Sequence, residues 1–350
     1  MKTRSFFQFV GPSVALMLAL MAIPLAITFY FSVHNCALDM EVVTEKQSGP
    51  FGTQDVSTQR ARIGPDGKAV QKCSYVGLDY FRKVLGADSA DSAVGAMAAA
   101  EPPDAAGVSA PASGGTTKVE PGSDEFWGAL RFTMIYTIVT TPFILGIGFL
   151  LALAVNGVTQ RLRGAFITAS LLPFIITPVV GALSIKWLFR DNGLVPYLLS
   201  GLGVKVFWMA QAWSAQLLII LYGVWHVVPF AFIVLYAGLQ SVPQDSLEAA
   251  TIDGASRWQK LRYVTLPHLM PLVVFITLIQ LMDAYRVFEP VLVLTQGAFT
   301  TSVQYLTYHI LLQENNPYKA SAAAVLTVAG ILVLLIPLLV KTYREQRQGN

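Results

Sequence analysis

Long apolar blocks separated by short polar loops dominate the chain from about residue 126 onward, and one further block stands near its start. Six blocks, 9–33, 132–155, 166–189, 214–239, 270–295 and 320–340, are the right size for crossing a membrane. A helix needs roughly 20 apolar residues to span a hydrocarbon layer of about 30 Å. Lipid offers no hydrogen-bond partner to the backbone, so a spanning segment is helical or belongs to a closed barrel. These runs are continuous rather than alternating, which favours helices. The pattern predicts an all-α polytopic membrane protein of six transmembrane helices, with a long external insertion between the first and second. Pro142, Pro173, Pro178 and Pro229 lie inside the blocks and predict local kinks. Lys2 and Arg4 before the first block also suit a cleaved signal peptide. That block is too long for such a signal and lacks an Ala-x-Ala site, so it reads as an anchor.

Composition agrees with the pattern. The 350 residues are 54% hydrophobic and 13% charged, about half the charged share of a soluble domain. Lys and Arg in short loops orient the spans. One side holds Lys2, Arg4, Arg161, Arg163, Arg257, Lys260, Arg262, Lys341, Arg344 and Arg347, against Arg190, Lys205 and Lys319 on the other. The richer side is expected to be cytoplasmic, with both termini there and 342–350 as a cytoplasmic tail. The net charge of +3 then reports topology and gives no reason to expect a nucleic-acid partner.

The expected domains are 1–33, an N-terminal tail and first span; 34–125, the insertion; and 126–341, the core with a polar loop at 241–267. Within the insertion, 35–86 mixes turn-formers and charge. Residues 87–123 form an Ala/Gly/Pro/Ser tract with almost nothing to bury, and are expected to be a linker. The two cysteines, Cys36 and Cys73, bracket most of the first part. In an oxidising compartment a disulfide would close this loop; two separate thiols fit the same spacing. His34 beside Cys36 supplies too few ligands for a metal site.

No phosphate-binding G-x-x-x-x-G-K-[ST] loop, G-x-S-x-G, H-E-x-x-H or C-x-x-C occurs. The chain is therefore not expected to be an enzyme or to bind a cofactor. The polar loop between the fourth and fifth blocks is more informative. It reads Glu248-Ala249-Ala250, three residues, Gly254-Ala255, and later Val264-Thr265-Leu266-Pro267. This spacing resembles the cytoplasmic coupling loop of binding-protein-dependent ABC importer permeases, especially the carbohydrate-type branch. Tyr75-Val76-Gly77-Leu78-Asp79-Tyr80-Phe81 is similar to the amphipathic entry before the second span in that family. The likeness covers about 75–86 and 126–341.

The resemblance implies an inner-membrane permease subunit that pairs with a second permease, an ATPase dimer and a periplasmic solute-binding protein. The partner ATPases would use ATP and Mg. It further implies that the helix carrying Glu248, Ala249 and Ala250 enters a cleft on the ATPase. From the residues, Asp245 or Ser246 is expected to cap a helix beginning near Leu247, with Glu248 favouring the helix dipole. Gly254 permits a sharp turn, Asp253 contributes to a polar docking surface, and Leu266-Pro267 ends the irregular stretch before a helix near His268.

Charged groups inside a span are costly and usually functional. Gln280, Asp283, Arg286 and Glu289 recur every third residue in the fifth block, and Arg286 can pair with either acid. Gln280 and Asp283 are the better hydrogen-bonding candidates for a solute, with Arg286 nearer the outer end. In the fourth block Tyr222, His226, Pro229 and Phe230 share a helical face, with Trp225 beside them. Such a face suits a sugar's apolar side, and aromatic residues at this spacing also serve plain packing. The resemblance places substrate contacts on these two helices. A Gly-Gly-Pro turn common in the family is replaced here by Gln296-Gly297-Ala298-Phe299 before Thr300-Thr301-Ser302. The expected function is a permease for a carbohydrate, polyol or glycerol-phosphate-type solute. The alternatives are an ion-coupled secondary transporter using Asp283 and His226, or a membrane-anchored interaction protein working through its insertion.

Overall fold

The computed structural model describes residues 3–38, 40–49, 52–61, 71–86, 124–203 and 205–348. The expected linker at 87–123 lies outside the described residues. The chain forms two compact units, Met1–Ser123 with Ile310–Leu326, and Asp124–His309 with Thr327–Asn350.

In the first unit, α1 (Thr3–Val33) is followed by β1 (His34–Leu38), β2 (Met40–Gly49), β3 (Gly52–Ala61), β4 (Gln71–Tyr75) and α2 (Asp79–Leu85). The segment expected as an insertion thus holds two five-residue and two ten-residue strands, although its polar composition carries no apolar alternation to announce them. β2 and β3 form an antiparallel hairpin ending in the pair Gly49 and Gly52. β1 and β4 pair antiparallel in a register that sets Cys36 opposite Cys73, and the structure joins these two in a disulfide. The Tyr318 hydroxyl donates to the Cys36 carbonyl, and the Tyr318 ring stacks on Tyr80 at 6.1 Å. Val76 N–H donates to the Val33 carbonyl at 2.9 Å, closing the strand pair onto the end of α1. Tyr80 and Val84 are the buried residues of α2, one turn apart.

The second unit contains α3 (Asp124–Asn156), α4 (Gln160–Ile175), α5 (Pro178–Phe189), α6 (Leu194–Gly201), α7 (Ala212–Gln240), α8 (Gln244–Ile252), α9 (Arg257–Lys260) and α10 (Leu266–Tyr285). Helices α11 (Val303–Leu312) and α12 (Pro317–Gln348) run through the boundary between units. The core lies between α3 and α7, where Ile144, Ala152, Val228, Ala231, Phe232 and Leu235 are buried together with Ile276 of α10. Close approach is made possible by Gly148, where an added Cβ would fall 2.8 Å from that of Ala231. Small residues at such crossings are typical of helices packed in lipid, where apolar character alone does not drive association. Buried Thr133, Thr137, Thr140 and Thr141 each donate to the carbonyl four residues earlier, at 2.7–2.8 Å. Their hydroxyls are thereby satisfied inside an otherwise apolar helix.

Among the described residues five helices are long and apolar enough to cross a membrane, with a bent pair as a candidate sixth span. That pair corrects the expected third span. The chain bends by 93° where α4 gives way to α5, because Ile176 and Thr177 adopt extended backbone before Pro178. A residue preceding proline is pushed out of the helical region, and proline then starts the next helix well.

The fifth span also differs from expectation. The helix stops at Tyr285 instead of continuing to residue 295, and Val291–Thr295 forms a separate π-helical turn. Pro290 lacks the N–H that would bond the carbonyl of Arg286, and its ring opposes that carbonyl, so the helix breaks there. The expected tail at 342–350 is not a separate segment, since α12 runs on to Gln348.

Candidate functional site

The bend and the break open a cavity of about 510 Å³ within the second unit, walled by α7, the α4–α5 corner, the end of α10 and the segment after it. Tyr222, His226 and Phe230 line it from α7. The Tyr222 and His226 rings stack at 5.6 Å and 9°. Phe174, from the end of α4, continues the aromatic wall, 6.2 Å from His226 and 6.0 Å from Phe230. The Tyr222 hydroxyl donates to the Pro178 carbonyl at 2.7 Å and ties α7 to the corner. Opposite Gly223 lies the Tyr136 ring of α3, so close that any Cβ at Gly223 would collide with it.

Gln280 and Asp283 of α10, with Arg286 just past its end, line the same cavity. Gln280 is buried, while Arg286 and Asp283 form an ion pair at 2.9 Å with both side chains more than half exposed. Arg286 stands three residues from each acid, and the ion pair it makes among the described residues is with Asp283. Trp225 does not line the cavity. It is exposed and one step round the helix from Tyr222 and His226, which corrects its place among the candidates. Tyr136, Phe174, Phe288 and Gln304 line the cavity without having been candidates, and so does Glu289, noted only for its spacing. Three of these are aromatic residues inside apolar stretches, where nothing local separates a cavity wall from packing.

The α5 side of the cavity region is braced by Lys186, which donates to the Val293 carbonyl at 2.7 Å. A cation inside an apolar block is costly without such a partner. Farther along, the Ser302 hydroxyl donates to the Val287 carbonyl at 2.6 Å and accepts from Tyr305 N–H at 3.1 Å. Val303 N–H donates to Thr133 of α3 at 3.1 Å. The chain beyond the helix break is therefore held by several hydrogen bonds rather than left loose.

The loop after α7 folds into a helix with defined ends. α8 begins at Gln244 after Pro243 at the cap position, with no side-chain cap. Asp245 and Ser246 sit inside its first turn, so neither caps it as expected. Its other end forms a Schellman motif. Ala255 N–H bonds the Ala250 carbonyl at 2.9 Å, Gly254 N–H bonds Thr251 at 3.1 Å, and Gly254 has φ +77°. This explains the spacing of Ala250, Gly254 and Ala255. Glu248, Ala249 and Asp253 are exposed, and Ile252 projects with 87% of its surface free.

Ser256 and Gln259 then form a reciprocal capping box that starts α9. From Arg257 the helix is continuous through a π-helical turn at Leu261–Thr265 into α10. Leu266 and Pro267 thus lie inside a helix instead of before one. Leu266 N–H reaches back five residues to Leu261. The wider turn accommodates Pro267, which cannot donate to Tyr263 and would crowd it in an ordinary helix. Lys260 Nζ bonds the Thr251 hydroxyl at 3.1 Å, fastening α8 to this helix.

Comparison with known proteins bears on both features. A family model described as "Binding-protein-dependent transport system inner membrane component" matches residues 126–350. A probable ABC transporter permease, y4oQ of Sinorhizobium fredii, is 32% identical over 227 residues, 63% of this chain and 73% of that protein. The trehalose/maltose transport system permease MalF of Thermococcus litoralis is 34% identical over 194 residues, 53% of this chain and 64% of that protein. The structure of a bacterial alginate ABC transporter, in complex with alginate pentasaccharide-bound periplasmic protein, aligns with a TM-score of 0.57 at 28% identity. That alignment covers 62% of this chain and 77% of the other.

Proposed function

We propose a solute class, a coupling site and an assembly for this chain, which belongs to the family of inner membrane components of binding-protein-dependent transport systems. As such it is a transport subunit and not an enzyme, and the ion-coupled transporter and interaction-protein alternatives fall away. The solute is a carbohydrate, for which the aromatic wall supplies apolar faces and Gln280, Asp283 and Arg286 supply hydrogen-bonding groups. MalF of Thermococcus litoralis, by name a trehalose/maltose permease, supports that class.

Helix α8 is the contact for a separate ATPase dimer, which binds ATP and Mg, and this chain itself binds no cofactor. Both termini and α8 lie on the cytoplasmic side of a bacterial inner membrane, in keeping with the Lys and Arg distribution. A second permease completes the path, and a periplasmic solute-binding protein delivers the solute. The alginate transporter solved with its periplasmic protein supports that last partner.

One observation carries the reading. Two of the helices that line the cavity, α7 and α10, are the same two that hold α8 between them in the chain. Displacement of α8 by closing ATPases would therefore act on the cavity walls directly, through a switch between two rigid arrangements. The test is uptake of radiolabelled trehalose and maltose by proteoliposomes containing the complete transporter. Uptake is expected to require ATP and the binding protein and to survive a protonophore. Sugar uptake that collapses with the protonophore, or proceeds without the ATPase, would overturn the proposal.

A further inference from the structure

The charges lining the cavity are unevenly distributed. Two carboxylates, Asp283 and Glu289, face one guanidinium, Arg286, and no lysine lines the space. With His226 neutral this gives the wall a net charge of −1, that is 1 − 2. Arg286 is already engaged by Asp283 at 2.9 Å. The nearby cation Lys186 is committed to the Val293 carbonyl. Glu289 has neither a hydrogen bond nor an ion pair among the described residues. Its carboxylate is nonetheless within electrostatic reach of Tyr136, Tyr222 and His226 across the cavity. Its side chain is half-buried, where a charge is screened less than on an open surface.

We infer that Glu289 makes this cavity select uncharged polyhydroxylated solutes and reject anionic ones such as uronates and sugar phosphates. A carboxylate without a partner accepts hydrogen bonds from sugar hydroxyls, which are neutral donors. The same group repels a carboxylate or phosphate on the solute, and rejection by like charge is a strong source of specificity. The inference rests on the carbohydrate reading and narrows it, dropping the glycerol-phosphate-type solutes that the sequence left open. It also separates this chain from a bacterial ABC transporter involved in the import of the acidic polysaccharide alginate, to which it is 28% identical with a TM-score of 0.59.

The sign of the cavity can be measured without knowing the solute. In the assembled transporter in proteoliposomes, Gln304→Cys places a reporter thiol on the lining, with Phe230→Cys as a second reporter. Cys36 and Cys73 are paired in the structure and give no competing thiol. Each reporter is reacted with a cationic trimethylammonium thiosulfonate, an anionic sulfonate thiosulfonate and a neutral methyl reagent. The neutral reagent corrects for access. The cationic reagent is expected to react about tenfold faster than the anionic one, relative to free thiol in solution. Glu289→Gln is expected to bring the ratio close to that of the free thiol, and Arg286→Gln to raise it. A ratio favouring the anion, or one unchanged by Glu289→Gln at both reporters, would overturn the assignment. Failure of the unsubstituted transporter to take up trehalose or maltose would instead count against the carbohydrate reading and leave this ratio standing.

Discussion

At Gly254 a backbone conformation, rather than a side-chain contact, explains a single letter of the sequence. An added Cβ would meet nothing within 4 Å, yet φ is +77°, a region that costs an ordinary residue roughly 1–2 kcal/mol. Substitution is therefore expected to unwind the Schellman turn without creating a clash. Gly254→Val should abolish ATP-dependent uptake while leaving membrane insertion intact, and Gly254→Asn should retain more because asparagine tolerates this conformation. Uptake alongside a membrane-fraction blot checks both; normal uptake by the valine variant would remove the turn from the coupling mechanism. The motif was legible in the sequence because the glycine and the alanine four residues before it are local partners in one turn. The capping box of Ser256 and Gln259 at the start of α9 was not among the expected caps, which were Asp245 or Ser246 for α8. The helix begins at Gln244 because Pro243 already holds the φ that a helix start requires.

Among the elements, the breaks matter more than the spans. Two proline positions, Pro178 and Pro290, convert apolar runs that look continuous into a corner and a stopped helix, and the cavity occupies the space between them. Apolar length alone overstated both helices. Proline at i removes the hydrogen bond to i−4, so Phe174 and Arg286 mark where each ladder fails. The α3–α7 crossing shows the opposite case, an element pair whose contact no periodicity announces. Gly148 lets the backbones meet at Ala231 and Phe232, with the nearest backbone atom 3.1 Å from an added Cβ. Gly148→Leu is expected to overpack this crossing and cost about 1–3 kcal/mol. A lowered Tm of the purified complex, set beside that of Gly146→Leu, checks it. Gly146 has open space around its Cβ, so an equal loss in both variants would contradict the packing account.

Across the whole molecule, the family match begins at residue 126 and leaves the first 125 residues outside it. The disulfide belongs to this outlying part, where β1 and β4 form the base of the insertion. A bridge closing a loop of this length contributes about 3–4 kcal/mol on chain-entropy grounds. Cys36→Ser is expected to make the segment between the two cysteines sensitive to protease at concentrations that leave it intact in the unsubstituted protein. Non-reducing gels of digested membranes would show the difference, and equal resistance in both would mean the bridge does not hold the insertion together. Spacing left the pairing open because one sequence cannot set two cysteines opposite each other. Strand register does.

The sequence by itself determined that the chain lives in a membrane, roughly where it crosses, and where the EAA-type turn lies. Those properties follow from the length of apolar runs and from residues a few positions apart. The tertiary structure alone decided which faces meet, so that Tyr136, Phe174 and Glu289 join Tyr222, His226 and Gln280 around one space while Trp225 is left outside. The reason is physical. Lipid is as apolar as the inside of the bundle, so a helix that is apolar all round carries no pattern to say which side turns inward. That choice rests on shape, as at Gly148 and Gly223, and on scattered hydrogen bonds such as Tyr222 to Pro178.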